Sequence, residues 1–182
     1  SPTIPSARDK EFVAKSVHAA IYNEFLPSIE LPHGFDADAY VAQLFHRWQN
    51  HALGDKTARV GSDGSAKLLQ RIPEPALRLL NMGQMPSEMA LTAASWIACV
   101  APPAGFDPGE IAAEMEEPQR ENLAKATAGA KNTHEHVEKI MTGGFFPTEL
   151  GEHAEFTDRV AELLDIIVTD GVEAAANNAL GE

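Results

Sequence analysis

Apolar side chains recur at helical spacing along most of this chain. Phe12, Val13, Val17, Ile21 and Phe25 fall on one stripe that Pro27 stops, with Ser6 and Asp9 placed ahead of it as a capping box. After the turn-like Leu-Pro-His-Gly at 31–34, Asp36 or Asp38 can cap a second helix whose apolar face is Tyr40, Val41, Leu44, Phe45 and Trp48, ending near Asn50. A helix is predicted over 75–82, closed by Gly83, and another over 86–100, where Met89, Leu91, Ala93, Ala94, Trp96, Ile97, Ala98 and Val100 are apolar nearly all round. A helix of that kind must be covered on most sides, so it is expected at the centre with Trp96, Ile97 and Cys99 largely buried.

From Ala101 the pattern weakens. Residues 101–109 read as a connector, and 110–131 as a charged, alanine-rich, weakly amphipathic segment at the periphery. Thr133 can cap a helix that runs through Met141 to Gly143-Gly144, and a last strong helix is predicted over 152–170, with Phe156, Val160, Leu163, Leu164 and Ile167 on one side before Gly171. No strand pattern or repeat emerges. The expected fold is all-α, a multi-helix globular domain, single over 1–182, with 1–7 as a linker.

Composition narrows the partners. The 182 residues, 44% of them hydrophobic, can bury a core of their own. A formal net charge of −13, with the basic residues scattered, repels phosphate backbones and anionic lipid, so neither nucleic acid nor membrane is expected as a partner. The one cysteine, Cys99, has no intrachain partner and reads as a small core residue, which fits a reducing, cytoplasmic setting. There is no signal-peptide pattern and no run of the roughly eighteen apolar residues that a membrane span needs.

The chemistry that can be read is sparse. The sequence has no Gly-x-Gly-x-x-Gly, phosphate-cradling loop, paired cysteines or Gly-x-Ser-x-Gly turn. His134 and His136 would point in directions about 160° apart on a helix and cannot grip one metal; they read as a solvated helix end, and no metal is expected. The acidic residues 114–117 and 149–155 read as solvated surface.

One segment departs from helix logic. Over 59–71, Gly61 and Gly64 sit where a helix should propagate, each at a cost of about 1 kcal/mol relative to alanine, so something other than helix stability selects them. Arg59 and Lys67 flank the interruption. In a straight helix they would lie about 12 Å apart along the axis and 80° apart around it, and a bend at the glycines would bring them toward one pocket. A planar fork and a compact charge together suit hydroxyls or a carboxylate. The competing reading has Asp63 and Ser65 simply capping a new helix, with both cations as surface charges; on these residues alone it is the stronger of the two.

The same residues carry a resemblance. Asp63-Gly64-Ser65-Ala66-Lys67-Leu68, followed by Gln70-Arg71, resembles the Asp-Gly-Ser-x-Lys-(hydrophobic)-x-x-Arg segment in the C-terminal domain of the mannitol dehydrogenase family, the polyol-specific long-chain dehydrogenases. Tyr40, Leu44, Arg47, Trp48 and Asn50 are similar in order and spacing to a helix of that domain, with Trp48 at an aromatic position. Phe145-Phe146-Pro, Glu149-Leu150, Phe156, Val160 and the closing Gly171-Val172 resemble its terminal segment and last long helix, whereas 101–143 is the least diagnostic region.

The resemblance implies a two-domain, zinc-independent oxidoreductase of the mannitol 2-dehydrogenase or fructuronate reductase (mannonate oxidoreductase) type. An N-terminal Rossmann domain would bind NAD or NADP, and this helical domain would bind a polyol or sugar acid between the two. Lys67 matches the family lysine that contacts substrate hydroxyls, and Arg59 a position where some members use arginine; Asp63, Gly64 and Ser65 are assigned to shaping the turn beside the site. The family's general-base motif, Lys-x-x-x-x-Asn-x-x-His, is not matched, since Lys10, Lys15 and Lys56 all lack Asn five and His eight residues later. No catalytic or cofactor-binding residue is therefore assigned here. The chain by itself is expected to be inactive, beginning after the catalytic helix, with the Rossmann domain as its missing partner. A free-standing helical sugar-binding or interaction module without catalysis is the alternative.

Overall fold

The structure is a computed structural model that describes residues 15–48 and 56–181. The expected linker, the Ser6–Asp9 cap and the helix end at Asn50 lie outside the described residues. Residues 15–19 are α-helical and run into a π-helical stretch, Ala20–Phe25, and a 3-10 turn, Leu26–Ser28, where Pro27 ends the run. Then follow α1 Ala37–Trp48, α2 Thr57–Gly61, α3 Gly64–Arg71, α4 Pro73–Asn81, α5 Ser87–Val100, α6 Glu110–Glu114, α7 Arg120–Thr127, α8 Thr133–Thr142, α9 Thr148–Gly151, α10 Ala154–Asp170 and α11 Val172–Leu180. The fold is all-α; among the described residues there is no strand.

The core is built on α5 and α10, which make the most extensive helix contact, with α8 and α11 closing over α10. Ala90, Ala93, Ala94 and Ile97 of α5 have no solvent exposure, nor do Phe156, Val160, Leu163 and Leu164 of α10. Each large side chain so buried stabilises the fold by about 1.5–3 kcal/mol, and alanines on the packing face let helix axes approach. Trp96 and Ile97 are buried, as the periodicity predicts; Cys99 is only half-buried, and burial pushes its thiol pKa up.

Local chemistry sets several helix ends. Asp36 accepts the Ala39 N–H at 2.9 Å, and Asn132, not Thr133, caps α8 by accepting the Glu135 N–H at 2.8 Å. On α1, Val41 is buried but Tyr40, expected on the same face, is half exposed and stacks at a tilt on Phe35. The N-terminal element is tied to the core by Glu24. Its buried carboxylate accepts the Glu88 and Met89 N–H groups at 2.6 and 2.8 Å, capping α5 from 64 residues away.

Three sequence expectations are corrected. The segment 110–131, expected at the periphery, forms two short helices, α6 and α7, separated by a strap at 115–119, and buries Ala112, Leu123 and Thr127. The chain does not stop being helical at Gly171: that residue, at φ +93°, ends α10 with its N–H on the Ile166 and Ile167 carbonyls and starts α11. Ala175 and Ala176 of α11 are fully buried, but an alanine-rich segment without large periodic side chains gives little helix-face signal. His136 is not a solvated helix end; it is buried, with Nε2 2.7 Å from the Ala101 carbonyl, whereas His134 is exposed beside Asp158. Among the described residues no helix is long and apolar enough to cross a membrane.

Candidate functional site

The turn between α2 and α3 is built from Ser62 and Asp63. Asp63 sits at φ +56°, ψ +32°, the left-handed region, and is the one non-glycine among the described residues with positive φ. Its carbonyl accepts the Ala66 and Lys67 N–H groups at 3.1 and 3.0 Å, which starts α3, while its carboxylate makes no capping bond. The helix break therefore falls at Ser62–Asp63, not at the glycines. The two glycines differ in what a side chain would meet: a Cβ on Gly61 would stand 2.7 Å from the flexible end of Met115, and one on Gly64 would stand 2.2 Å from Trp96 Nε1. At Gly64 the close approach of the indole, not a bend, excludes a side chain, whereas the neighbour of Gly61 is the movable end of Met115.

Lys67 lies one turn into α3 and reaches back over the turn. Its ammonium donates to the Ser62 carbonyl at 2.6 Å and the Val60 carbonyl at 3.1 Å, placing a positive charge where the carbonyls of α2 run out. Arg59 is exposed on α2. Both side chains line one open cleft of about 770 Å³, together with Lys56, Arg71, Asp63, Glu114 and Glu116. The structure thus brings the two predicted cations to a common cleft. There, four cations face three carboxylates, in a chain whose net charge is −13.

The strap at 115–119 closes the back of the turn, and none of its contacts is visible in the local sequence. The Glu116 carbonyl accepts the Asp63 N–H at 2.8 Å, and the Glu116 N–H donates at 2.9 Å to Ser62 Oγ, which itself donates to the Ala58 carbonyl at 2.8 Å. Glu117, expected on the surface with its acidic neighbours, is buried. Its Oε1 accepts from Ser65 Oγ at 2.5 Å and the Gln119 N–H at 3.0 Å; its Oε2 accepts from the Ser65 N–H at 2.9 Å and Trp96 Nε1 at 3.2 Å. Burial pushes this carboxyl's pKa up, but the four hydrogen bonds outweigh it and hold the group below the usual carboxylate range. Ser65 therefore spends both its hydroxyl and its N–H on Glu117.

Arg120 anchors the strap. It donates to the Ala112 and Met115 carbonyls at 3.0 and 2.9 Å and reaches the Cys99 and Val100 carbonyls at 3.4 Å, so one guanidinium serves the ends of both α5 and α6. The only local hint of this arrangement is the acid at 117 followed directly by Pro118. Among the described residues no group of three His, Cys, Asp or Glu side chains is placed to hold a metal ion.

Comparison with known proteins points to the family that the sequence resembles. The sequence pattern of the mannitol dehydrogenase C-terminal domain matches residues 2–168. A D-mannonate oxidoreductase of Escherichia coli is 27% identical over 146 residues, covering 80% of this chain and 29% of that protein. Mannitol dehydrogenase 2 of Saccharomyces cerevisiae is 25% identical over 174 residues, covering 93% of this chain and 33% of that protein. An uncharacterised Escherichia coli oxidoreductase, YdfI, is 24% identical over 172 residues, covering 94% of this chain and 35% of that protein. The chain spans about a third of the length of the curated relatives it matches.

Proposed function

The chain belongs to the mannitol dehydrogenase C-terminal domain family, and from that premise we propose that it forms the substrate-side wall of an NAD(P)-dependent oxidoreductase of carbohydrate metabolism. Its cleft at the α2–α3 turn holds a polyol or sugar acid, with a sugar acid the better fit, while the hydride is exchanged with a nicotinamide carried by the rest of the protein. The observation that carries this reading is the concentration of Lys56, Arg59, Lys67 and Arg71 in one cleft of a strongly acidic chain. A carboxylate gains there what it would lose elsewhere on the surface.

The residues divide the work by geometry. Lys67 has three N–H donors; two go to the Val60 and Ser62 carbonyls, which leaves the third for a ligand hydroxyl or carboxylate. Arg59, lining the same cleft, carries a planar guanidinium whose geometry matches a carboxylate. Neither residue is positioned as a proton-transfer group, and the hydride step belongs to residues outside this chain. The residues present do not fit a dinucleotide, because among the described residues no strand leads through a glycine turn into a helix N-terminus. The Rossmann domain of this reading is therefore the chain's partner, in a cytoplasmic protein consistent with a single unpaired cysteine.

The test is steady-state kinetics on the intact oxidoreductase. Lys67→Met should lower kcat/KM about 10- to 150-fold, the equivalent of losing charge-assisted hydrogen bonds, with dinucleotide affinity unchanged. Arg59→Ala should weaken D-mannonate use more than D-mannitol use. An unaltered kcat/KM in a folded Lys67→Met protein overturns the reading.

A further inference from the structure

Glu117 poses a question that the fold alone does not answer. Burying a carboxylate costs several kcal/mol unless a fixed set of donors replaces water, and Glu117 is about nine-tenths buried. Its donors come from three places: the first turn of α3 through Ser65, the central helix through Trp96, and its own strap through Gln119.

The first of these does what a helix cap would do. Asp63, in the N-cap position of α3, makes no capping bond, and the Ser65 N–H that it leaves is taken by Glu117, 52 residues away. The neighbouring residue holds the other half of the turn, since Glu116 fixes both the Asp63 N–H and Ser62 Oγ. Ser62 in turn presents the carbonyl that grips the Lys67 ammonium. One strap therefore fixes the helix that carries Lys67 and the backbone that its charge rests on, and Trp96 and Arg120 connect that strap to the core.

We propose that Glu117 is a positioning residue for the Lys67 site: through Ser65 it sets the first turn of α3, and so the place at which the Lys67 ammonium meets a ligand. This rests on the reading of the cleft as a substrate site. The requirement is for a carboxylate and not merely for a polar group of that size. Two donors converge on each oxygen, and three of the four are N–H groups that can only donate, so an amide in either orientation would set its own N–H groups against at least one of them.

A double-variant cycle in the intact oxidoreductase tests this, with D-mannonate and D-mannitol as substrates. Glu117→Gln should raise substrate KM and lower kcat/KM about 10-fold while the dinucleotide KM stays at the wild-type value. Combined with Lys67→Met it should add little to the loss caused by Lys67→Met alone, because the two act through one interaction. A merely structural role would reduce thermal stability and the active fraction but leave KM unmoved, and its effect would multiply with that of Lys67→Met; that result overturns the proposal. If Glu117→Gln does not fold, Ser65→Ala removes only the hydroxyl contact and should give about 3-fold in the same direction, again without adding to Lys67→Met. An unchanged kcat/KM in Lys67→Met alone overturns the substrate-site reading, whereas a large Lys67 effect beside a neutral, folded Glu117→Gln overturns only the role given to Glu117.

Discussion

Gly64 lies so close to the Trp96 indole that a Cβ there would stand 2.2 Å from Nε1 and 2.4 Å from Cδ1. The two residues are 32 positions apart, on the site helix α3 and the central helix α5, and both are buried. Because Trp96 is held by Glu117 and packed edge-on against Phe146, the ring has no easy way to move aside.

Gly64→Ala should therefore destabilise the fold by about 1–3 kcal/mol despite alanine's better helix propensity. Gly61→Ala meets only the flexible end of Met115, which can swing away, and should stay within about 1 kcal/mol of wild type. Urea unfolding of the two variants checks the contrast; equal losses would mean that the indole yields.

Removing the Arg120 guanidinium uncouples the ends of α5 and α6 from the strap. Arg120→Ala should cost about 2–3 kcal/mol in urea unfolding, since carbonyls lose charged donors that water only partly replaces. Arg120→Lys should recover less than half of that, because an ammonium cannot fork across carbonyls from two helices.

Glu24 gives the stability a pH dependence of unusual sign. Burial pushes its pKa up from 4.5 to about 7, against the opposing N–H bonds from Glu88 and Met89 and with help from the Glu88 charge. Glu88 shifts the same way, burial again leading, with the Ser16 hydroxyl and the Arg159 charge opposing. A carboxyl that binds its proton more tightly in the folded state contributes stability that is complete below about 4.5 and is lost as pH rises through about 7. Relative to wild type, Glu24→Gln should gain up to about 3 kcal/mol between pH 5 and pH 8. Thermal melts of both proteins at the two pH values measure it, and a constant difference between them would refute it.

His136 acts in the opposite direction. Burial lowers its pKa below the ordinary 6.5, and the charge of Lys139 adds to this, while the bond to the Ala101 carbonyl opposes it. Since a carbonyl can only accept, the proton of the neutral ring sits on Nε2. A base with a depressed folded pKa contributes stability that is present above 6.5 and lost as pH falls through the folded value. Nitrogen-15 spectra of the imidazole should show the Nε2–H tautomer at pH 7 and a titration midpoint below 6.5; an Nδ1–H tautomer would contradict the contact.

What the sequence determined by itself is what local spacing encodes. The apolar circumference of α5 and the stripe of Phe156, Val160, Leu163 and Leu164 on α10 put those helices in the core, because helix periodicity and burial are coupled within a few turns. The segment from Arg59 to Lys67, with Asp63-Gly64-Ser65, likewise showed a helix break and carried the family resemblance, since a turn is made by neighbours. Only the tertiary structure decided the rest. Glu117 and Glu116 are adjacent acids in one charged run, yet one is buried under four donors and the other lies at the cleft surface. His136 and His134 differ in the same way, and α11 is held by a core that its own alanines do not announce. In each case the deciding partner lies tens of residues away, and a polar side chain's spacing along its own helix carries no record of whether a distant donor will replace the water it gives up.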